Sequence, residues 1–211
     1  MRILLADDHA IMRSGLRRII MDAFEDAEVG EAGKSDELLK LVAEKHWSIL
    51  ILDIALADRN SLELVPEVRQ LRPHLPILAL SMYSERQFVV HALRVGVSGY
   101  VTKDRAPEEL LRAIHTILEG ERYLSEDVAR KLADHIAVGG DSGGEPHEQL
   151  SPREYEVFVC LAEGLMGAEI ARRLDISVKT VSTYRSRILT KLGIGSNAQL
   201  MRYALERGLV K

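Results

Sequence analysis

The chain has 211 residues, 46% hydrophobic and 28% charged, which is the composition of an ordinary globular protein. One cysteine excludes an internal disulfide, and no apolar run reaches the roughly 20 residues that cross a bilayer. With no signal peptide at the N-terminus, we expect a cytoplasmic protein without a membrane partner. Residues 1–148 carry 26 acidic and 18 basic side chains, whereas residues 149–211 carry 6 and 10, within a net charge of −4. This asymmetry predicts two domains with different partners.

The first 120 residues alternate short apolar runs with amphipathic stretches. This alternation predicts an α/β domain over residues 1–120, with a doubly wound, five-stranded parallel sheet in the order 2-1-3-4-5. The predicted strands are residues 2–6, 28–32, 48–52, 76–81 and 99–102. The predicted helices are residues 11–23, 36–46, 61–72, 86–96 and 107–119.

Residues 121–148 form a predicted connection between two domains. A helix is predicted over residues 125–137, and residues 138–148 (VGGDSGGEPHE) have the composition of a flexible linker. The sequence Ser151-Pro152-Arg153-Glu154 is then typical of a helix start. Residues 149–211 are predicted to form an all-α domain of four helices, in which the second and third make a helix-turn-helix. These helices are residues 152–164, 167–174, 178–192 and 196–207.

Acidic side chains follow two of the predicted strands. Asp7 and Asp8 come after the first strand, and Asp53 closes the third. Carboxyl ends of parallel strands meet at one edge of a sheet, so three carboxylates are expected there. Such a cluster needs a cation, and hard divalent ions such as Mg²⁺ prefer oxygen ligands. Ser81 and Lys103 end the fourth and fifth strands, and together with a carboxylate and a metal they can receive a phosphoryl group.

The predicted helix 178–192 has an apolar stripe on one side and a polar, mostly cationic surface on the other. A helix of this kind fits the major groove of DNA. Lys179, Arg187 and Lys191 are the expected phosphate contacts. The remaining polar positions are candidates for base or groove contacts: Thr180, Ser182, Thr183, Arg185 and Ser186.

Residues 1–120 resemble the receiver domain of two-component response regulators, on the strength of Asp7, Asp8, Asp53, Ser81 and Lys103. The resemblance implies that Asp53 is the phosphoacceptor and that a sensor histidine kinase donates the phosphate. The implied Mg²⁺ ligands are Asp7, Asp8, Asp53 and the backbone carbonyl of Ala55. It also implies that Lys103 pairs with the phosphoryl group, that Ser81 shifts toward it and that Tyr100 turns inward.

Residues 149–211 resemble the LuxR-type helix-turn-helix of NarL/FixJ-class regulators, in the stretches 150–154, 169–171, 179–181 and 191–192. The stretch 183–188 resembles the GacA-like branch. The resemblance implies a transcription factor that binds double-stranded promoter DNA as a homodimer. The last helix carries Leu200, Tyr203 and Ala204 on one face, which fits either a dimer contact or packing within its own domain.

Two departures from the receiver pattern keep other functions open. Ala57 and Ser61 stand where the family usually has Pro and Gly, so we expect a looser loop over residues 55–60. A regulator that binds DNA constitutively, with its receiver acting only as a dimer module, therefore remains an alternative. An Mg²⁺-dependent phosphatase needs a second acid two residues after its nucleophile, but Ala55 stands there, so no enzyme is expected. His9 is expected to be a surface residue rather than a ligand.

Overall fold

The computed structural model describes residues 1–56, 59–82, 86–137 and 145–210. The chain divides into two compact units, Met1–Gly140 and Asp141–Lys211. Among the described residues, no helix has the length and apolar character that crossing a membrane requires.

The first unit is an α/β domain. Its strands are β1 (Arg2–Ala6), β2 (Glu28–Ala32), β3 (Ile49–Asp53), β4 (Ile77–Ser81), β5 (Gly99–Thr102) and β6 (Tyr123–Leu124). Its helices are α1 (Ala10–Ala23), α2 (Ser35–Glu44), α3 (Ser61–Leu71), α4 (Arg86–Arg94), α5 (Ala106–Leu118) and α6 (Glu126–Ala137).

The strands form one parallel sheet in the order β2-β1-β3-β4-β5-β6. The predicted order 2-1-3-4-5 is thereby confirmed, and β6 is an addition that the sequence analysis missed. β6 has only two residues, which pair with Gly99 and Tyr100 of β5. Two residues are too few to show the alternation by which a strand is recognised in a sequence.

The central strands are buried on both faces, as continuous apolar runs in a parallel sheet require. Every residue of β3 and β4 is buried, including the two polar residues Asp53 and Ser81 at their carboxyl ends. One face is packed by α1 and α5, through Leu16, Ile20 and Leu110 among others. The sheet therefore holds its polar strand ends rigidly at one edge.

At the edge strand β2, a glycine allows a tryptophan to approach the backbone. A Cβ atom built on Gly30 would lie 2.3 Å from Cη2 of Trp47. Trp47 is buried, and its indole N–H donates a hydrogen bond to the Leu41 carbonyl at 2.8 Å. The indole ring therefore occupies the space that a Cβ atom at position 30 would need, which only glycine leaves free.

The helix that was predicted as part of a linker continues the first unit. The backbone N–H of Ser125 donates to the Tyr100 carbonyl at 3.1 Å, which extends the β5–β6 pairing to the start of α6. Asp127 of α6 lies 3.6 Å from Arg105, just before α5. Residues 138–144 of the predicted flexible linker lie outside the described residues.

The second unit begins with a short 3-10 helix, Pro146–Gln149, within the segment expected to be linker. Its α-helices are α7 (Pro152–Ala162), α8 (Gly167–Arg173), α9 (Val178–Leu192) and α10 (Asn197–Glu206). At the start of α7, the predicted capping box is present between Ser151 and Glu154. Asp175 adopts a φ of 52° in the turn between α8 and α9, a left-handed conformation that aspartate tolerates better than most residues.

Candidate functional site

The carboxyl ends of β1, β3 and β5 bring acids and a lysine together. Asp7 and Asp53 are 2% and 1% exposed, and Lys103 is 5% exposed. Lys103 Nζ lies 2.8 Å from Asp53 Oδ2 and 2.9 Å from Asp7 Oδ2. The register explains this geometry, because Ala6 pairs with Leu52 and so places the next residues, Asp7 and Asp53, side by side.

The electrostatics of this pocket are dominated by burial. Burial raises the pKa of Asp53 above its ordinary value of 3.8; Lys103 opposes this effect and the negative charge of Asp7 adds to it. Burial alone would lower the pKa of Lys103, but Asp53 and Asp7 raise it above 10.5. The ammonium is therefore permanently charged at neutral pH and holds both carboxylates.

The pocket has the donor set of a divalent metal site. One possible ligand atom from each of Asp7, Asp8, His9 and Asp53 can be chosen so that all lie within 4.8 Å of one another. Lys103 pairs with Asp7 and Asp53, and Asp8 adds a third carboxylate to the cluster. Among the described residues, these three acids and one lysine leave negative charge that a cation can balance. Carboxylate oxygen is the ligand that Mg²⁺ prefers, so the residues present fit this ion.

The loop after β3 is held to the pocket by hydrogen bonds. The Ala55 N–H donates to Asp53 Oδ1 at 3.1 Å, and the Leu56 N–H donates to Ser61 Oγ at 3.3 Å. Ser61 is fully buried at the start of α3. The serine hydroxyl thus ties the backbone of Leu56 to the start of α3, and the expected looseness of the loop over residues 55–60 stays a prediction. Ala57 itself lies outside the described residues.

Two further residues were predicted for this pocket: Ser81 lies on β4, between β3 and β5, and Tyr100 lies on β5 itself. Ser81 ends β4 and is fully buried; its carbonyl accepts a hydrogen bond from the Lys103 N–H at 2.7 Å. Tyr100 is fully buried in β5. Both therefore belong to the sheet edge that carries Lys103.

Helix α9 presents the predicted polar surface in the second unit. Val181, Ile188 and Leu192 form its buried stripe, and Ser177 caps its start by accepting from the Thr180 N–H at 3.0 Å. Six of the predicted contact residues are exposed: Lys179, Ser182, Thr183, Ser186, Arg187 and Lys191. This surface has no acidic residue from Val178 to Leu192, so it is suited to an anionic partner.

Family models match most of the chain. The model described as "Response regulator receiver domain" matches residues 3–115. The model described as "Bacterial regulatory proteins, luxR family" matches residues 148–204. The chain is a two-component response regulator.

Full-length relatives agree with this assignment. The transcriptional activator protein ExaE of Pseudomonas putida is 36% identical to the regulator over 211 residues, covering 100% of this chain and 99% of the relative. The oxygen regulatory protein NreC of Staphylococcus haemolyticus is 34% identical over 216 residues, covering 100% and 99%. The predicted receiver fold, the LuxR-type DNA-binding domain and the function in transcription regulation are confirmed.

Solved structures of RcsB also resemble the regulator. RcsB of Salmonella typhimurium gives a TM-score of 0.59 at 29% identity, covering 96% of this chain and 97% of that one. An RcsB–DNA complex gives a TM-score of 0.58 at 28% identity, covering 96% of each chain. The assignment to a GacA-like branch stays a prediction.

Two cations predicted to contact DNA have partners inside the regulator's second unit. Lys191 Nζ lies 2.5 Å from Glu154 Oε2 and donates to the Gln149 carbonyl at 3.2 Å. Arg185 Nε donates to Asn197 Oδ1 at 2.7 Å, and Arg185 is only partly exposed. Both side chains therefore tie α9 to neighbouring segments, a role that no periodicity within α9 can reveal.

The stripe on α10 packs inside the same unit. Leu200 and Ala204 are fully buried, and α10 packs against α7. Tyr203 Oη lies 2.9 Å from His147 Nδ1, and the guanidinium of Arg207 lies 4.1 Å from the Tyr203 ring centre. Of the two interpretations of this stripe, the structure supports packing within the domain, so Leu200 and Ala204 are not available to a second protomer.

Proposed function

We propose that the regulator is switched by phosphorylation of Asp53 and that helix α9 of its second unit then binds promoter DNA. The observation that carries this proposal is the cluster of Asp7, Asp8 and Asp53 at one edge of the sheet, where Lys103 contacts both Asp7 and Asp53. A phosphohistidine of a sensor kinase is the proposed donor. The bond from histidine nitrogen to phosphorus breaks while a bond from an Asp53 oxygen to phosphorus forms, and the imidazole keeps the electron pair.

The residues around Asp53 have distinct proposed roles. Asp7, Asp8, Asp53 and the carbonyl of Ala55 would hold Mg²⁺, which supplies positive charge for the phosphoryl oxygens. The Ala55 N–H and Lys103 each hold one oxygen of Asp53, at 3.1 and 2.8 Å, and so fix the direction of the carboxylate. Lys103 remains charged and can pair with the transferred group.

The added charge would bias a two-state equilibrium of the receiver. Ser81 is proposed to move toward the phosphoryl group and Tyr100 to follow it. Because Tyr100 is hydrogen-bonded through its carbonyl to Ser125, a change in β5 reaches the start of α6 through the backbone. This route leads toward the second unit along the chain.

On DNA, the exposed face of α9 is proposed to enter the major groove. Lys179 and Arg187 would contact phosphates, while Ser182, Thr183 and Ser186 would face base edges. Thr180 and Arg185 lie at the margin of this face, and Lys191 is held by Glu154. Solved RcsB structures include two RcsB dimers bound to two parallel DNAs, and we propose a homodimer here as well.

The proposed dimer contact is the outer face of α10. Met201 and Leu205 are 36% and 57% exposed and lie one turn apart. They replace Leu200 and Ala204 in this role. A Leu205→Glu variant is expected to sediment as a monomer under conditions where the phosphorylated regulator sediments as a dimer.

Phosphorylation is tested by incubating the regulator with acetyl phosphate and Mg²⁺ and measuring the intact mass. We expect one added phosphoryl group on the wild type and none on Asp53→Asn. The matched control is Asp22→Asn, because the side chain of Asp22 is 73% exposed on α1 and it should leave labelling unchanged. Labelling that survives in Asp53→Asn would refute the assignment.

DNA binding is tested with beryllofluoride as the phosphoryl mimic. We expect tighter binding of promoter fragments by the wild type with the mimic, and no change for Asp53→Asn. Equal affinity with and without the mimic would favour the constitutive regulator instead. Arg187→Ala should weaken binding on all sequences alike and reduce the dependence of affinity on salt by about one unit of slope.

A further inference from the structure

A histidine stands beside the acidic pocket and faces its carboxylates. His9 Nδ1 lies 2.9 Å from Asp8 Oδ1 and 3.4 Å from Asp7 Oδ1. The backbone N–H of His9 donates to Asp7 Oδ1 at 2.7 Å, which fixes the start of this side chain against the pocket. Its ring nitrogen falls within the same 4.8 Å cluster as the three carboxylates.

An imidazole changes the metals that such a pocket accepts. Carboxylate and carbonyl oxygens suit Mg²⁺, Ca²⁺ and Mn²⁺, whereas imidazole nitrogen suits Zn²⁺, Ni²⁺ and similar ions. A pocket of oxygen ligands with one added nitrogen therefore gains affinity for first-row transition metals, while its affinity for Mg²⁺ stays nearly the same.

We propose that His9 is a direct ligand of the metal held by Asp7, Asp8 and Asp53, and that it shifts the selectivity of this site toward transition metals such as Co²⁺ and Zn²⁺. The inference rests on the proposed function in so far as both place a divalent cation in this pocket. The side chain of His9 is 51% exposed, so its ring can turn onto an ion in the pocket without displacing packed residues.

The other role open to His9 is to position Asp8 through their 2.9 Å contact. The two roles predict different behaviour for glutamine, which can donate a hydrogen bond to Asp8 but is a poor transition-metal ligand. If His9 only positions Asp8, His9→Gln should bind both ions like the wild type, and His9→Ala should weaken Mg²⁺ and Co²⁺ binding alike. If His9 is a metal ligand, both His9→Gln and His9→Ala should weaken Co²⁺ binding selectively.

The experiment measures Mg²⁺ and Co²⁺ binding to the 211-residue chain without a histidine tag, by calorimetry and, for Co²⁺, by visible absorption. The variants are His9→Ala and His9→Gln. The control is His74→Ala, because His74 is exposed and lies between α3 and β4, away from the carboxyl ends of the strands. The ratio of the Co²⁺ to the Mg²⁺ affinity is the quantity compared.

Both His9 variants should lower the Co²⁺ affinity by about 10- to 100-fold, change the Mg²⁺ affinity less than about twofold and alter the Co²⁺ spectrum. His74→Ala should match the wild type. An unchanged ratio in His9→Ala, or full recovery of the ratio in His9→Gln, would overturn the proposal. If one of these two results is found while Asp53 is still phosphorylated, the role of His9 is refuted but the proposed function stands. A wild type that binds neither Mg²⁺ nor Co²⁺ would refute both proposals.

Discussion

Replacing Lys103 by methionine tests the electrostatics of the pocket most directly. The ammonium contacts Asp53 and Asp7 at 2.8 and 2.9 Å, and all three side chains are at least 95% buried. Methionine keeps much of the volume but leaves two buried carboxylates without their partner. Breaking a buried ion pair from one side costs about 3–5 kcal/mol, so the free energy of unfolding should fall by that amount at pH 7 in the absence of divalent ions.

The loss should depend on pH in a defined direction. Burial already raises the pKa of Asp53, and without Lys103 that pKa rises further. A carboxyl whose pKa is higher in the folded than in the unfolded state destabilises the folded state once it is ionised. The Lys103→Met variant should therefore approach the wild type as the pH falls from 8 toward 5, where the carboxyl takes up a proton.

The assay is urea unfolding followed by the fluorescence of Trp47, the single tryptophan, which is buried in the first unit. The matched control is Lys40→Met, since Lys40 lies 3.9 Å from Glu44 and both side chains are more than half exposed. This control should unfold close to the wild type because exposed pairs contribute little. A loss below about 1 kcal/mol for Lys103→Met, or an equal loss at pH 5 and 8, would refute the reasoning.

Three further predictions concern positions outside the ion pairs. Gly30→Ala should cost about 1–3 kcal/mol and shift the Trp47 emission, because the new methyl overlaps the indole ring; an unchanged spectrum would contradict the packing described. Ser61→Ala should speed hydrogen exchange of the Leu56 amide, measured by mass spectrometry, while Ser61→Thr retains a hydroxyl and should slow it again. Burial lowers the pKa of His147 below 6.5, so the second unit should lose stability as the pH falls through and below 6.5. Hydrogen-exchange rates of the α10 amides should rise over this pH range in the wild type, and in His147→Gln they should not depend on pH in this way.

The elements that position the pocket could be predicted from local patterns. Apolar runs that end in an acid, a serine or a lysine mark strands and their carboxyl ends, so the sequence alone predicts that Asp53, Ser81 and Lys103 lie at one edge of the sheet. The start of α7 was equally clear, because Ser151 and Glu154 satisfy the free amides of a helix within four residues.

What the sequence could not reveal depends on contacts between distant residues. Lys191 matches the cationic face of α9, yet it is bound to Glu154, 37 positions earlier. Leu200 and Ala204 have the spacing of an interface, but whether that face meets α7 or a second protomer is not encoded in α10. Ser61 departs from the family pattern, and its compensating hydrogen bond to Leu56 became visible only in three dimensions.

The sixth strand has a practical consequence for anyone who wishes to isolate the first unit. A polypeptide that ends at Gly120, just after α5, would lack Tyr123 and Leu124. The backbone N–H and C=O groups on that side of β5 would then have no strand to pair with. Unpaired strands of this kind recruit other chains and promote aggregation. A receiver fragment that keeps β5 paired therefore needs residues through Leu124, and fragments that end earlier are expected to self-associate.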